Sequence, residues 1–265
     1  MARKLFIAGN WKMNLSASQS TELTGEIAAK ISSDSRVEVA LCPPFVYLAA
    51  VRQALQGSAI AIGAQDVYWE SKGAFTGQIS PAMLLDVGCE YVIIGHSERR
   101  HTIIPSEDDR VINRKVLAAL AAGLKVILCI GETLNQRSQG LTQSVLNEQL
   151  TAGLGKLDSG LAEKLVIAYE PVWAIGTGQT ATTEQAQQAQ AFVRARLAQL
   201  LGAAAAETIR IQYGGSVRPA NTADLLAQPD VDGALVGGAS LKVADFLEII
   251  KAGDKIASST STKRT

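Results

Sequence analysis

The sequence holds only three cysteines, Cys42, Cys89 and Cys129, an odd number at wide spacing. That excludes a disulfide scaffold and suits reduced thiols in a cytoplasmic protein. Two histidines and no C-x-x-C pair leave no basis for a structural zinc site. Surplus charge is also missing, since 25 basic and 25 acidic side chains cancel. Neither nucleic acid nor a membrane surface is therefore expected as a partner, and any basic site must be local. No apolar run approaches the roughly 20 residues of a membrane-spanning helix. The opening MARKLFIAGNWK, interrupted at Gly9 and Asn10, is expected to be a first strand and not a signal peptide. Without a secretion signal, the sequon at Asn14-Leu15-Ser16 carries no weight.

What the chain does have is apolar material, 47% of 265 residues, enough for a large core. Eight short β-rich runs recur: KLFIAG from Lys4, VEVALC from Val37, IAIGAQ from Ile60, YVIIGH from Tyr91, KVILCIG from Lys125, KLVIAYE from Lys164, IRIQYGG from Ile209 and GALVGG from Gly233. Most are continuously apolar, as parallel strands buried on both faces are. Helical periodicity fills the gaps between them. Ala186, Ala189, Val193, Leu197 and Leu200 form one stripe, and Ile112, Val116 and Leu120 another. Ser106 is a candidate N-cap for the second of these helices, and Thr182 with Gln185 a capping box for the first. Eight β-then-α units predict a single-domain (β/α)8 barrel over residues 1–252, with a doubly wound open sheet as the alternative. Residues 253–265, small and polar, are expected to form a disordered tail.

The polar residues then sort by position. Asn10 and Lys12 follow the first strand, Gln65 the third, and His96, Ser97 and Glu98 the fourth. Glu132, Glu170 and Ser216 follow the fifth, sixth and seventh. In a barrel those C-terminal strand ends share one face, where barrel active sites lie. One such residue is only a loop residue; the same placement on most strands is a site.

Glu170 is followed by PVWAIGTG, in which a proline stiffens the start, Trp173 and Ile175 are apolar, and Gly176 and Gly178 permit close backbone approach. A solvated turn would use Asn, Asp and Ser, so residues 171 to about 180 read as a lid. A carboxylate beneath it would be desolvated on closure, which raises its basicity. Gly176-x-Gly178-x-x-Ala181 matches a dinucleotide fingerprint, but it sits five residues beyond Glu170 with no ribose-binding carboxylate about 20 residues on, and is rejected. His96 alone is more often structural than catalytic. Lys12 alone is a solubility residue, but it lies at the end of a buried strand, where an unused charge is costly. Gly214-Gly215 and Gly237-Gly238, each leading to a serine (Ser216, Ser240), occupy the loops that cradle phosphate in barrels.

Six segments carry a resemblance: GNWKMN at 9–14, GHSERR at 95–100, CIGETL at 129–134, AYEPVWAIGTG at 168–178, YGGS at 213–216 and LVGGASL at 235–241. Together, in this order over about residues 4–252, they resemble the triosephosphate isomerases, a standard example of acid–base tuning. The resemblance implies interconversion of dihydroxyacetone phosphate and D-glyceraldehyde 3-phosphate through an enediolate, in glycolysis and gluconeogenesis, with no cofactor and no metal. It implies Glu170 as base, His96 as neutral electrophile, Lys12 and Asn10 beside the substrate, and Glu98 in support. Gly176, Ser216, Gly237 and Gly238 would hold the phosphate.

The same resemblance implies a homodimer in which residues 73–79 insert into a second subunit, bringing Thr76 to its active site. Here the chain departs from the pattern. Gln78 stands where glutamate usually pairs with the counterpart of Arg99 across the interface. Pro105 is expected at the place of a family glutamate after GHSERR, and Gln179 where lysine is common at the lid hinge. Two other readings remain open: a Schiff-base sugar-phosphate aldolase, for which Lys12 is the candidate lysine, and an inactive phosphosugar-binding barrel.

Overall fold

The computed structural model describes residues 3–32, 34–176 and 179–262, so Thr177 and Gly178 of the expected lid and residues 263–265 of the expected tail lie outside the described residues. Eight parallel strands close on themselves in sequence order: β1 (Phe6–Asn10), β2 (Glu38–Cys42), β3 (Ala61–Ala64), β4 (Tyr91–Ile94), β5 (Lys125–Ile130), β6 (Leu165–Tyr169), β7 (Arg210–Tyr213) and β8 (Gly233–Val236). β1 pairs with both β2 and β8, which closes the (β/α)8 barrel and rules out the open sheet. The helices between strands are α1 (Ala17–Ala28), α2 (Leu48–Ala54), α3 (Pro81–Asp86), α4 (Ser97–His101), α5 (Asp109–Ala122), α6 (Leu134–Ser138), α7 (Thr142–Gly153), α8 (Thr183–Leu201), α9 (Ala203–Thr208), α10 (Pro219–Leu226) and α11 (Val243–Thr262).

The apolar strands divide their side chains between two cores. Phe6, Tyr91, Ile93, Ile127 and Leu235, with smaller Ala and Cys residues, fill the barrel interior. The alternate positions, Ile7, Leu41, Val92, Leu128 and Ile167, join the larger core beneath the helices. This is why the runs are apolar at every position. At the N-terminal mouth, Phe6 stacks on Tyr91 with centroids 4.6 Å apart. The Tyr91 hydroxyl donates to Glu38, which also pairs with Arg210. These ties bind β1, β2, β4 and β7 at the end of the barrel that serves stability.

The helix stripes form as the periodicity requires: Ala186, Ala189, Val193 and Leu197 are buried, as are Ile112, Val116 and Leu120. The Thr182–Gln185 capping box is present. Ser106 does not cap α5; Asp108 does, its carboxylate accepting from the Val111 amide at 2.9 Å. Two capping-competent residues lie within three positions, and the acidic one also interacts favourably with the helix dipole.

The expected disordered tail is instead helical through Thr262. Ile249, Ile250, Gly253, Ile256 and Ala257 continue one apolar stripe, and the last two pack against the core. Gly253 lies so close to its neighbours that a Cβ there would come within 2.9 Å of Val37. Asp254 accepts hydrogen bonds from the Ser35 hydroxyl (3.0 Å) and the Arg36 amide (2.9 Å), which fastens the end of the chain to the entry of β2. Asp254→Ala removes both bonds, each contributing about 1 kcal/mol. Thermal unfolding should shift down by roughly 4–8 °C for a chain of this size; an unchanged midpoint would show that the contact stabilises nothing.

Candidate active site

Glu170 follows β6 directly and is held by its backbone first: its amide donates to the Ile130 carbonyl at 2.7 Å. Two glycines make room for it. A Cβ on Gly131 would fall 1.7 Å from the Glu170 carbonyl oxygen, and one on Gly214 would fall 2.9 Å from Glu170 Cγ. Its carboxylate is 2% exposed, a burial that demands partners. Oε1 lies 3.0 Å from His96 Nε2, and Oε2 accepts from the Ser97 amide at 2.8 Å.

His96 is the N-cap of α4, and its Nδ1 accepts from the Glu98 amide at 3.2 Å. Burial alone would depress the His96 pKa, but the adjacent Glu170 charge overrides it and holds the group above its ordinary 6.5. Burial would likewise raise the Glu170 pKa, whereas His96, the Ser97 amide and Lys12 hold it below its ordinary 4.5. The raised value favours an imidazolium, yet an Nδ1 that receives an amide hydrogen bond cannot itself carry a proton. The amide contact decides, because protonation would set two donors face to face. His96 is thus neutral here, with its proton on Nε2 and directed at Glu170.

Lys12 occupies a left-handed backbone conformation, φ 52°, which costs a non-glycine residue about 1–3 kcal/mol. Two contacts fix it there. Its amide donates to Asn10 Oδ1 at 3.0 Å, and its carbonyl accepts from Gln65 Nε2 at 2.9 Å. The Lys12 ammonium pairs with Glu98 Oε1 at 2.7 Å, and Lys12 Cε lies 3.6 Å from where a Cβ on Gly237 would stand. The lysine therefore runs from the His96–Glu98 corner toward the Gly237-Gly238 loop. That loop is a 3-10 turn, Gly238–Leu241, closed by the Ser240 hydroxyl on the Gly237 carbonyl at 2.7 Å. Ser216 accepts from Asn221 Nδ2 through its carbonyl at 2.9 Å. Gly176 is exposed on the lid stem at φ 71°, with no atom of the described residues within 4 Å of its Cβ direction.

Glu132, a strand-end residue to which sequence reasoning assigned no role, anchors that stem. It is fully buried and receives Tyr169 OH (3.1 Å), Trp173 Nε1 (3.0 Å) and Arg137 Nη1 (3.1 Å). Arg137 also lies over the Trp173 ring, 4.4 Å from its centre.

Arg99 and Gln78 are not brought together within the chain. Arg99 pairs instead with Asp66 (3.0 Å) and Glu107 (2.5 Å), and the buried Lys115 pairs with the same two carboxylates at 2.7 and 2.6 Å. The expectation that Pro105 replaces a needed glutamate is therefore corrected. Glu107 supplies a carboxylate two residues further on, its Oε1 engaging both Arg99 and Lys115.

Comparison with known proteins agrees with this geometry. The family model described as triosephosphate isomerase matches residues 5–253. The chain is 52% identical over 249 residues to the triosephosphate isomerase of Carboxydothermus hydrogenoformans, covering 94% of this chain and 98% of that one. It is 51% identical over 252 residues to that of Rhodopirellula baltica (95% and 98%) and 50% identical over 249 residues to that of Herpetosiphon aurantiacus (94% and 99%). With a closed eightfold barrel, and with Lys12, His96 and Glu170 gathered at its C-terminal face, the chain belongs to the triosephosphate isomerase family.

Proposed function

We propose that the chain interconverts dihydroxyacetone phosphate and D-glyceraldehyde 3-phosphate, with Glu170 as the base. The observation that carries this reading is the pairing of a buried carboxylate with a neutral histidine donor, Glu170 Oε1 to His96 Nε2 at 3.0 Å, beside a lysine ammonium. A substrate carbonyl oxygen entering between them competes for the Nε2 proton. Released from His96 and from the Ser97 amide, the Glu170 carboxylate keeps its apolar surroundings and loses its stabilising donors. Its basicity then rises.

Glu170 takes a proton from the hydroxyl-bearing carbon beside the carbonyl, and the electron pair moves to form the enediolate. Negative charge builds on the former carbonyl oxygen, where His96 Nε2–H and the Lys12 ammonium stabilise it. The proton on the neighbouring hydroxyl passes to the former carbonyl oxygen, and return of the carbon-bound proton to the adjacent carbon gives the aldehyde. A positioned base contributes about 10²–10⁴-fold, so the oxyanion donors and the binding energy of the phosphate must supply the rest. Asn10 holds Lys12, and Glu98 orients its ammonium. Ser216, Gly237, Gly238 and the Gly176 amide bind the phosphate as the lid closes, which keeps water from the enediolate.

A Schiff-base aldolase is disfavoured, because Lys12 is ion-paired with Glu98 whereas that chemistry starts from a free amine. The partner reading is a homodimer in which Thr76, on an exposed loop, approaches the second copy's site. A cytoplasmic setting suits three free, buried thiols.

In deuterated water, product should carry solvent deuterium at the adjacent carbon, and Glu170→Ala should lose at least about 100-fold in that exchange. Exchange unaffected by the substitution would remove Glu170 as the base; absent exchange in the parent chain would favour a binding barrel. The acid side of the kcat/KM profile gives a second check. The base works only as carboxylate, and its pKa is held below 4.5 in the free protein. With the titration of the substrate phosphate, whose second pKa is about 6, divided out, activity should persist below pH 6 and fall as pH drops through the depressed value. A loss near pH 6 that remains after that correction would contradict the pairing described.

A further inference from the structure

β4 leaves the barrel wall before β5 does. Their pairing ends at Ile94 and Leu128. β5 runs on beside the end of β6, where the Ile130 carbonyl takes the Glu170 amide at 2.7 Å and the Glu132 carbonyl the Val172 amide at 3.1 Å. In a parallel sheet alternate residues bond to opposite neighbours, so Cys129 and Gly131 turn their backbone groups to the side that β4 has left. Lys125 shows the phase, since its amide bonds to the Glu90 carbonyl on that side at 2.8 Å. Gly131 is buried, and an unpaired amide or carbonyl there would be costly. Two side chains fill the place. Arg100, from α4, donates through Nε to the Gly95 carbonyl at 2.8 Å and through Nη2 to the Cys129 carbonyl at 3.1 Å, while Asp109 holds Nη1 at 2.6 Å. Gln149, from α7, pairs with Gly131 on both atoms: Oε1 accepts from the amide at 2.7 Å, and Nε2 donates to the carbonyl at 3.2 Å.

We infer that Arg100 and Gln149 are positioning residues, which stand in for the missing strand and thereby set the separation of His96 from Glu170. The inference rests on the reading of Glu170 as the base and adds what fixes its place. Gly95 immediately precedes His96, and Cys129 immediately precedes Ile130, whose carbonyl holds the Glu170 amide. One guanidinium therefore spans the two strand ends on which the pair depends. Its side chain is 6% exposed, and a Cβ on Gly95 would stand 3.1 Å from Nη2, so the fit is close. Gln149 fixes the following residue, Gly131, on which the Glu170 carbonyl lies so closely that no side chain fits between them. Both side chains act through backbone groups. What the site needs at Arg100 is the rigid fork and not the charge alone: a lysine would keep the charge without bridging two carbonyls in fixed geometry.

Steady-state kinetics and ligand titration of the parent chain, Arg100→Lys and Gln149→Met test this. Each variant should lose at least about 10-fold in kcat, because misplacing reacting groups by about 1 Å costs up to about 100-fold. KM should stay within about 3-fold, since the phosphate loops follow β7 and β8. Phosphoglycolate, with a carboxylate in place of the enediolate, should bind at least about 10-fold more weakly, and inorganic phosphate within about 3-fold of the parent. A variant that had merely lost part of its folded population would lower kcat and leave both affinities unchanged. Amide hydrogen exchange reads the positioning without activity. The Ser97 and Glu170 amides should exchange at least about 10-fold faster in both variants, while those of β1 and β8 keep the parent rate. A kcat that holds in either variant, or a phosphoglycolate affinity that holds while kcat falls, would overturn the inference. If Arg100→Lys fails to fold, Gln149→Met decides alone, because it removes no charge. A parent without isomerase activity whose Ser97 and Glu170 amides respond in this way would refute the catalytic reading and leave the positioning role standing.

Discussion

A carboxylate with almost no access to water has to be satisfied by the protein itself, and the arrangement around Glu170 follows from that constraint. An unpaired buried charge would neutralise or destabilise the fold. Here the Ser97 amide and His96 Nε2 each take one oxygen, and Gly131 and Gly214 keep side chains out of the space it needs. Both donors come from the junction of β4 and α4, a helix start. Because α4 begins there, its free amides are available: Ser97 serves the carboxylate and Glu98 serves His96 Nδ1. One helix N-terminus thereby places the base and fixes the tautomer of its partner.

The two ends of the barrel divide their work. At the N-terminal mouth, Phe6, Glu38, Tyr91 and Arg210 satisfy one another and stay fixed. At the C-terminal mouth the bonds are exchangeable. In the mechanism proposed above, a substrate oxygen displaces the contacts holding Glu170 at rest, and displacement itself strengthens the base. Lys12 shows the same economy on the backbone side, since Asn10 and Gln65 hold its strained φ in place.

The barrel was legible in the sequence because its physics is periodic. Buried parallel strands must be apolar on both faces, and eight such runs alternating with helical stripes leave few other folds. Glu170, His96 and Lys12 were legible because strand ends converge. What could not be read depended on spacing or on conformation. Asp108 and Ser106 satisfy the same capping rule, and only the helix phase chooses between them. Glu107 was overlooked because the length of the α4–α5 connection is not fixed by composition, so position was counted to Pro105. The end of the chain read as disordered because its serines and threonines outnumber the apolar residues; Gly253, Ile256 and Ala257 nevertheless continue the α11 stripe. The positive φ of Lys12 and the clamp by Gln65 leave no mark in residue type at all.

The neutral state of His96 is the point on which the chemistry turns, and ¹⁵N NMR of the imidazoles reads it directly. The chain has two histidines, so His101→Asn assigns the spectrum. The account predicts, at pH 7, an unprotonated His96 Nδ1 and a protonated Nε2, one pyridine-like and one pyrrole-like resonance. Two protonated nitrogens would mean an imidazolium paired with Glu170. The donor would then carry a full charge before substrate arrives, and the account of how this site holds and releases its base would be wrong.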